Sequence, residues 1–406
     1  MKALEGVKVL DFTHAYSAVY TGQVLGDLGA DVLKIEPIGG EQSRQWPPYD
    51  YDNEKRSCYY TCFNRNRRAI SMNLKSKEGL EIAYELVKDA DVLLVNMRNG
   101  AMDKLGLGYE DLKKINPKLI YATINGYGSR GPFSPLKAYD NICTAYSGIM
   151  YSIGQEEQPP MKLGISIGDN YSGLTMASSV LMALVHQRKT GEGQLVEIAM
   201  QDSLFGLIDK QILDYSLTSE EPKRVGNAHT MYAPEDVYRA KGSDEYVTLS
   251  VRNEADWVKF CNTANKAEWI SDARFATNEL RKANYAELKP LIAQIFADVD
   301  KIESQEKFMQ AGVPCAASYR VSDILDDPQF RERYMIRYQP DVQVGSMLTC
   351  GNPMKFSDTV CEEIKTSKFA GQDNEEVLHD LGYTDEEIKK LYEDKAIYQK
   401  VGKFAI

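Results

Sequence analysis

Apolar and polar positions alternate in two different ways along the first 125 residues of the chain. Short runs of Val, Leu and Ile are typical of buried strands, whereas apolar residues three or four positions apart predict helices. Strands are predicted at VKVLDF, ADVLKIE, RAISMNL, DVLLVNM and KLIYATI. Helices are predicted to end at GQVLGDLG and to span KEGLEIAYELVKD, opened by Ser76, and YEDLKKI. This alternation predicts a parallel sheet covered on both faces, with ligand loops at the carboxyl ends of its strands.

A longer helix is predicted after the segment GISIGDNYSG. Apolar residues recur at helical spacing from Leu174 to Val185, and the helix should stop near Gly191. Asp169 or Asn170 is a good N-cap for it. A carboxylate at this position feels the positive end of the helix dipole and should stay ionised near neutral pH. Asp169 is therefore a candidate nucleophile rather than a candidate acid; the alternative is that it only caps the helix.

The second half of the chain predicts a smaller domain followed by a return to the first one. After a helix near 209–216, TSEEPKRVGN is polar and typical of a linker. VYRAKGSDEYVTLSV predicts two strands joined at Gly242, and 254–312 is mainly helical. From Gln339 a strand-like stretch leads to helices at 374–381 and 385–393, the second with a capping box of Thr384 and Glu387. The predicted boundaries are 1–215, 216–325 and 326–406.

Composition and charge exclude several classes of protein. A chain of 406 residues with 43% hydrophobic and 26% charged residues is typical of a globular protein of two or three domains. A formal charge of -11 argues against a nucleic acid or an anionic membrane surface as partner. There is no apolar run of the roughly 18 residues that a membrane span needs, nor a signal-peptide core. We therefore expect a cytoplasmic protein.

Cysteine and histidine positions do not predict a disulfide framework or a metal site. The 7 Cys are spread along the chain without a CxxC pair, which favours reduced thiols. The 4 His are far apart and show no HxH or HExxH spacing, so we predict no metal. The first strand-to-helix turn, DFTHAYSAVYTG, lacks the G-x-G-x-x-G of NAD-binding proteins. Glu36 could imitate a ribose-binding acid, although a polar residue that ends a strand is the more ordinary interpretation.

Several segments spread over nearly the whole chain carry a family resemblance. They are LGDLGADVLKIEP, FNRNRRAISMNLKSKEG, ADVLLVNMRNGAMDKLGLGYEDL, INPKLIYATINGYGSRGP, KAYDNICTAYSG, GDNYSGL, RKTGEGQLVEIAMQDSLF, GVPCAASYRVSDILDDPQF and GNPMKFS. Together they resemble the class III coenzyme A transferases, the family that includes formyl-CoA:oxalate and carnitine CoA-transferases. The resemblance implies an α/β fold: a Rossmann-like large domain built from both chain ends, a smaller α+β domain, and a homodimer of two interlocked rings.

The resemblance also implies a chemistry for Asp169, because the family's nucleophilic aspartate lies in the segment that GDNYSGL matches. An ionised Asp169 would attack the thioester of an acyl-CoA, and an aspartyl-CoA thioester would follow. Coenzyme A is then a substrate, with no tightly bound cofactor. Backbone N–H groups of the turn from Gly168 to Ser172 are the expected oxyanion donors.

Matched positions further imply contacts to coenzyme A and to the acid that accepts it. Cations are expected for the phosphates of coenzyme A. Lys104 could instead lie on a solvated helix face, and His14 could be a structural hydrogen-bonding residue. The positions assigned to coenzyme A are His14, Asn96, Met97, Arg98, Ala101, Lys104 and Lys137, and those assigned to the acceptor pocket are Tyr16, Tyr139 and Tyr232.

Two departures from the family pattern bear on the activity. The α-methylacyl-CoA racemases of this fold use a His-Asp pair in the stretch that reads KAYDNI here, but this chain has Tyr139 in place of the histidine, and tyrosine, with an ordinary pKa of about 10, is a poor base at neutral pH. Oxalate-type members carry a run of glycines where KRVGNAHTMYAPEDVYRA has only Gly226. Oxalate specificity is therefore in doubt. A non-catalytic CoA-binding protein is the remaining alternative, but it would have no need of Asp169.

Overall fold

A computed structural model describes residues 1–49, 56–341 and 345–400. The chain divides into two compact units. The first consists of Met1–Met150, Lys162–Ser216 and Glu332–Ile406, and the second of Tyr151–Met161 and Leu217–Arg331. Positions 342–344 and 401–406 of the predicted C-terminal segment lie outside the described residues.

Eleven strands and sixteen α-helices are formed by the described residues. The strands are β1 Lys8–Asp11, β2 Asp31–Glu36, β3 Arg68–Ser71, β4 Val92–Val95, β5 Ile120–Asn125, β6 Leu195–Ala199, β7 Glu235–Arg239, β8 Tyr246–Ser250, β9 Cys315–Ala317, β10 Ile336–Asp341 and β11 Gly345–Cys350. The helices are α1 Ser17–Asp27, α2 Cys58–Phe63, α3 Lys77–Lys88, α4 Tyr109–Ile115, α5 Asp140–Tyr146, α6 Ile167–Thr190, α7 Met200–Phe205, α8 Asp209–Thr218, α9 Glu254–Thr263, α10 Asn278–Ala283, α11 Tyr285–Phe296, α12 Lys301–Gln310, α13 Val321–Asp326, α14 Pro328–Glu332, α15 Asn374–Asp380 and α16 Asp385–Glu393. None of these helices is long and apolar enough to cross a membrane.

The first unit is built on a six-stranded parallel sheet. Its strand order is β3-β2-β1-β4-β5-β6, and every neighbouring pair is parallel. This order reverses direction between β1 and β4, as in doubly wound proteins. The prediction of an α/β fold with a parallel sheet is therefore confirmed, and all five predicted strands are present. β6 was not predicted, because its residues Leu195–Ala199 are mostly half-buried or exposed and give no continuous apolar run.

Apolar side chains cover both faces of this sheet, because successive strand residues point to opposite sides. On one face, Leu10 and Leu93 are buried in a core with α3, α4, α15 and α16. On the other face, Val9 and Val32 are buried in a core with α1 and α6. The predicted capping box of Thr384 opens α16. Both ends of the chain thus contribute to one sheet domain.

The beginning of α6 differs from the prediction. The helix starts at Ile167, with Ser166 in the N-cap position, so the prediction that Asp169 or Asn170 caps it is wrong. Asp169 lies in the first helical turn. The physical reason is that the carboxylate of Asp140, from α5, accepts hydrogen bonds from the N–H groups of Gly168 and Asp169 and satisfies them from outside. The predicted end is confirmed, since Gly191 follows with a φ of 80°.

The second unit combines a small antiparallel sheet with helices. Strands β7, β8 and β9 pair in that order, and the turn containing Gly242 joins the first two as predicted. Helices α9 to α12 occupy most of 254–312. Their shared core is aromatic and buries Trp257, Phe260 and Phe296.

Candidate active site

The loops that follow β1 and β4 are joined at the carboxyl edge of the parallel sheet. The backbone N–H of His14 donates to Asn96 Oδ1 at 2.8 Å, and Asn96 Nδ2 donates to the backbone oxygen of His14 at 2.7 Å. The structure thus brings together two of the predicted coenzyme A residues, at the point where the strand order reverses. In doubly wound sheets, ligands bind in the crevice that opens at this point.

The His14 side chain is suited to a neutral role. It is half-buried. Burial, and then the nearby Lys34 ammonium, lower the pKa of His14 below its usual value. A neutral imidazole offers one donor and one acceptor to a ligand rather than a positive charge.

A second link joins the loops after β4 and β5, and sequence reasoning missed it. Asn99 Nδ2 donates to the backbone oxygens of Gly128 at 2.9 Å and Ser134 at 3.0 Å. Asn99 Oδ1 accepts from Asn125 Nδ2 at 3.0 Å. One amide side chain therefore holds two loops in register. No local sequence pattern indicates this role of Asn99, because its two acceptors lie 29 and 35 positions further along the chain.

The predicted cations lie on these loops and nearby. Arg98, Lys104 and Lys137 are all exposed, and none of them forms an ion pair with another described residue. Met97 and Ala101 are half-buried, and Met97 packs against the apolar core below the sheet edge. The cations are thus available to a phosphate, while Met97 is largely a packing residue.

Asp169 is half-buried and its carboxylate accepts no hydrogen bond from a described residue. Burial, and then the negative charge of Asp140, raise the pKa of Asp169 to about 7. The prediction that this group stays ionised near neutral pH is therefore wrong. Burial and a like charge both favour its protonated form.

The expected oxyanion donors at the beginning of α6 are already occupied. The N–H groups of Gly168 and Asp169 donate to Asp140 Oδ1 at 2.6 Å and 3.2 Å, and the N–H of Asn170 donates to the Ser166 oxygen at 3.0 Å. Three amides of the predicted turn from Gly168 to Ser172 therefore already have acceptors, and the role of this turn in stabilising an oxyanion stays a prediction. The long-range contact from α5 accounts for two of these acceptors, and the local sequence does not indicate it.

An aromatic cluster of Tyr16, Tyr20, Trp46, Tyr59 and Phe63 lies beside Asp169. Ring centroids are 4.6 Å apart for Tyr16 and Phe63, 4.8 Å for Tyr59 and Phe63, and 5.4 Å for Trp46 and Tyr59. The Tyr16 hydroxyl donates to Asn170 Oδ1 at 2.7 Å. Burial raises the pKa of Tyr16 to about 12 and raises the pKa of Tyr59, and the charge of Asp169 adds to both shifts. The predicted residue Tyr16 thus has three aromatic neighbours that the sequence did not indicate.

The two other predicted pocket tyrosines lie in different surroundings. Tyr139 precedes α5, and 69% of its surface is exposed. Tyr232 belongs to the second unit, where its ring stacks on His229 with centroids 5.1 Å apart. Their contact with an acceptor acid stays a prediction.

Buried charges support this edge of the sheet from below. Lys34 Nζ donates to the Thr13 backbone oxygen at 2.5 Å and lies 3.5 Å from Asp11 Oδ1, and Arg67 Nη1 lies 3.1 Å from Asp11 Oδ2. Lys34 therefore fixes the residue that precedes His14. Among the described residues, no cluster of three or more His, Cys, Asp or Glu side chains could hold a metal ion.

Glu36 is not available to a ribose. Its carboxylate accepts two hydrogen bonds from Arg44, at 2.7 Å and 2.5 Å, and one from the Tyr60 hydroxyl at 2.9 Å. The side chain is fully buried. A structural role for Glu36 is therefore established by its contacts, and it differs from the free acid that an NAD site presents.

Comparison with known proteins identifies the family. Residues 4–374 match the model of CoA-transferase family III. The formyl-CoA:oxalate CoA-transferases of Shigella sonnei (strain Ss046) and Escherichia coli O139:H28 (strain E24377A / ETEC) are both 32% identical to this chain over 420 residues. Each alignment covers 97% of this chain and 99% of the relative.

Two solved structures are similar over nearly the same span. A CAIB/BAIF family protein from Brucella suis has a TM-score of 0.86 and 32% identity, and the alignment covers 94% of this chain and 99% of that one. The protein Rv3272 from Mycobacterium tuberculosis has a TM-score of 0.81 and 29% identity, with 92% and 98% covered. Since the family model and the relatives span almost the whole chain, this protein is a member of CoA-transferase family III and an enzyme of that type.

Proposed function

We propose that this enzyme moves coenzyme A from an acyl-CoA to a free carboxylic acid through a thioester on Asp169. One observation carries the proposal: a half-buried carboxylate without a hydrogen-bond donor among the described residues lies at the beginning of α6, in the segment GDNYSGL that resembles the family's nucleophile segment. A buried carboxylate that nothing neutralises is costly, so such groups are typical of reactive sites.

The chemistry follows from what a carboxylate does to a thioester. Asp169 attacks the acyl carbonyl, the C–S bond breaks, and a mixed anhydride and the CoA thiolate result. The thiolate attacks the aspartyl carbonyl, which releases the donor acid and leaves aspartyl-CoA. The acceptor carboxylate attacks aspartyl-CoA and forms a second anhydride, and the thiolate then takes the acceptor acyl group. Asp169 is regenerated, and the thioester bond energy is retained throughout.

The surroundings of Asp169 fit this sequence of reactive intermediates. The neighbouring rings of Tyr16, Tyr59 and Phe63 present an apolar surface, and apolar surfaces exclude the water that would hydrolyse an anhydride. The Tyr16 hydroxyl is oriented by Asn170, next to the nucleophile. We infer that Tyr16 and Tyr139 contact the acceptor acid.

Coenzyme A is proposed to bind over the carboxyl edge of the sheet. Its phosphates would meet Arg98, Lys104 and Lys137, and the crevice of His14 and Asn96 would take the part of the molecule nearest the thioester. The pair of acids that the enzyme exchanges is not implied by these contacts. The name of the similar enzymes makes formyl-CoA and oxalate a first pair to test, although Gly226 stands where a run of glycines was expected.

A homodimer with interlocked chains is part of the proposal. Helices α6 and α7, with the loop after α7, expose large apolar side chains within the first unit: Leu174, Met182, Val185, Phe205 and Leu207. Contiguous exposed apolar residues mark protein interfaces. Sedimentation equilibrium of the purified protein should give twice the chain mass of 45.7 kDa.

A racemase-type proton transfer is the second candidate, because a carboxyl group with a pKa of about 7 is also suited to act as a base. It predicts exchange of the α-proton of a 2-methylacyl-CoA in D2O. The transferase predicts no such exchange and a covalent intermediate instead.

Mass spectrometry of the protein mixed with acyl-CoAs, without acceptor, tests the proposal. The panel contains formyl-, oxalyl-, short-chain, 2-hydroxyacyl- and aryl-CoA thioesters. We expect a coenzyme A adduct on the peptide that contains Asp169, and its loss in Asp169→Asn. Asp202→Asn changes an exposed aspartate in the first turn of α7 and serves as the matched control. An adduct that persists in Asp169→Asn would exclude Asp169 as the nucleophile.

A further inference from the structure

Asp140 is the first residue of α5, and its side chain reaches the beginning of α6. One carboxylate oxygen, Oδ1, accepts hydrogen bonds from the N–H of Gly168 at 2.6 Å and of Asp169 at 3.2 Å. The helix that carries Asp169 therefore takes its cap from a neighbouring helix, 28 and 29 positions away in the chain. The N-cap residue Ser166 makes no side-chain cap of its own.

The contact leaves no free space. A Cβ atom on Gly168 would lie 2.9 Å from Asp140 Oδ1, 3.0 Å from Met200 Sδ and 3.2 Å from Leu204 Cδ1. These distances are shorter than ordinary van der Waals contacts. Helix α5 on one side and α7 on the other thus enclose the first turn of α6, and the glycine is what allows the carboxylate to approach.

We propose that Asp140 is a positioning residue for Asp169: its carboxylate holds the first turn of α6 in place and keeps a negative charge beside the reacting carboxylate. This inference rests on the proposed function, because it takes Asp169 as the nucleophile. Asp140 itself does not contact the reacting atoms. Its effect passes through the backbone that it binds and through its charge.

The other groups that face Asp169 stay neutral at neutral pH. They are Cys143 from α5, Tyr16 from the loop before α1, and Tyr59 from α2. Burial, and then nearby negative charges, raise the pKa of Cys143 to about 12, and burial raises the pKa of both tyrosines. The α7 atoms nearest to Gly168 belong to the apolar Met200 and Leu204. Of these named groups, Asp140 is the one with a charge that acts on Asp169.

A negative neighbour changes the reactivity of a carboxylate in two ways. It reduces the ionised fraction at a given pH, and it makes the ionised form more basic and therefore more nucleophilic. The enzyme is then most active above the pH at which Asp169 loses its proton. This matches the raised pKa of Asp169, to which the charge of Asp140 contributes after burial.

The substitution Asp140→Asn separates charge from geometry. Asparagine keeps the Oδ1 acceptor for both amides and removes the charge. We expect the acid limb of kcat/KM against pH to move to lower pH by about one unit, because the like charge next to Asp169 is gone. Asp140→Ser, a second neutral residue that accepts an amide hydrogen bond, should move the limb in the same direction. Asp140→Ala removes acceptor and charge, and should lower kcat about tenfold or more.

An acid limb that stays at the wild-type pH in both neutral variants would overturn the inference. Should neither variant fold, the pH dependence of adduct formation on Asp169 in the wild-type protein still tests the inference: a limb near pH 4 contradicts it, because a negative charge beside a half-buried carboxylate raises the pKa of that carboxylate. Failure of the proposed function gives a different result. In that case Asp169→Asn stays active, whatever Asp140 does.

Discussion

The side chain of Asn96 and the backbone of His14 form a closed pair, in which each residue donates one hydrogen bond to the other. The pair joins the ends of β1 and β4, which are neighbours in the sheet although they are 82 positions apart in the chain. Both residues can affect substrate binding without contacting the substrate. If the pair opens, two backbone groups at the crevice lose their partners.

We therefore expect Asn96→Ala to raise the KM for acyl-CoA about tenfold, with a smaller effect on kcat, because the loop that carries His14 loses its support. Steady-state kinetics at varied acyl-CoA concentration measures this. Asn262→Ala, an exposed asparagine on α9, is the control and should match the wild type. A KM that is equal in the two variants would contradict the role of Asn96.

The Asn99 contact gives a graded test of the loops that carry the candidate cations. Asn99→Asp keeps the acceptor for Asn125 and loses both donors to Gly128 and Ser134, whereas Asn99→Ala loses all three bonds. We expect KM for acyl-CoA to rise in both variants, about threefold to tenfold, and more in the first, because a carboxylate oxygen would face the two backbone oxygens that Nδ2 binds. The kcat value should change little. A fall in kcat at constant KM would place Asn99 elsewhere in the reaction.

The close packing of α1 on α6 predicts a difference between two glycines. A Cβ on Gly173 would lie 2.5 Å from the backbone oxygen of Ser17, whereas a Cβ on Gly206 would have no neighbour within 4 Å. Gly173→Ala should destabilise the protein by about 1–3 kcal/mol, since a backbone atom has to move. Gly206→Ala, at a φ of -62°, should be neutral or slightly stabilising. Urea denaturation compares the two; similar midpoints would show that α1 and α6 separate without cost.

The raised pKa of Asp169 predicts a pH-dependent gain in stability for Asp169→Asn. Between the ordinary aspartate value of 3.8 and about 7, the folded protein holds a proton that the unfolded chain has lost. Stability of the wild type therefore falls as pH rises through this window, and asparagine does not share the loss. The Tm of Asp169→Asn should exceed that of the wild type by a margin that grows from pH 4 to pH 8. Asp202→Asn is the control. A Tm difference between Asp169→Asn and the wild type that stays constant from pH 4 to pH 8 would contradict a raised pKa of Asp169.

The buried charges below the sheet edge predict a large loss of stability. Burial opposes ionisation of Asp11, but Lys34 and Arg67 outweigh it and hold the pKa of that carboxyl below its usual value. Lys34→Met leaves a buried charge without one of its partners, and should cost about 3–5 kcal/mol. Lys8→Met, which removes an exposed ion pair between β1 and Asp89 at the end of α3, should cost about 0 to 1 kcal/mol. Equal midpoints of urea denaturation would mean that Arg67 alone suffices for Asp11.

The fold was predictable where burial alone decides the pattern. The strands β1 to β5 are covered on both faces, so their apolar runs are continuous, and Ser76 and Thr384 were recognisable as caps because their partners are three residues away. β6 was not predicted, because its residues alternate between half-buried and exposed positions and form no continuous apolar run. Local rules succeed when the interacting residues are neighbours in the chain.

The site was less predictable, because its contacts join distant segments. Asp169 was found through its segment, but its pKa, and the start of its helix, depend on Asp140, 29 positions away. The rings of Tyr59 and Phe63 reach the same place from α2, and nothing in their local sequence indicates it. Distance in the chain, rather than weakness of the individual signals, limited the prediction.

The internal pairing of Glu36 with Arg44 and Tyr60 has a consequence for selectivity. The strand order of this sheet is shared with proteins that bind dinucleotides, and a protein with that order risks inhibition by any dinucleotide that its crevice admits. Here Glu36, the acid that would bind a ribose, is already paired with Arg44. The first strand-to-helix turn also lacks the G-x-G-x-x-G of dinucleotide-binding proteins. Discrimination against NAD is therefore built into the resting molecule, before any substrate arrives.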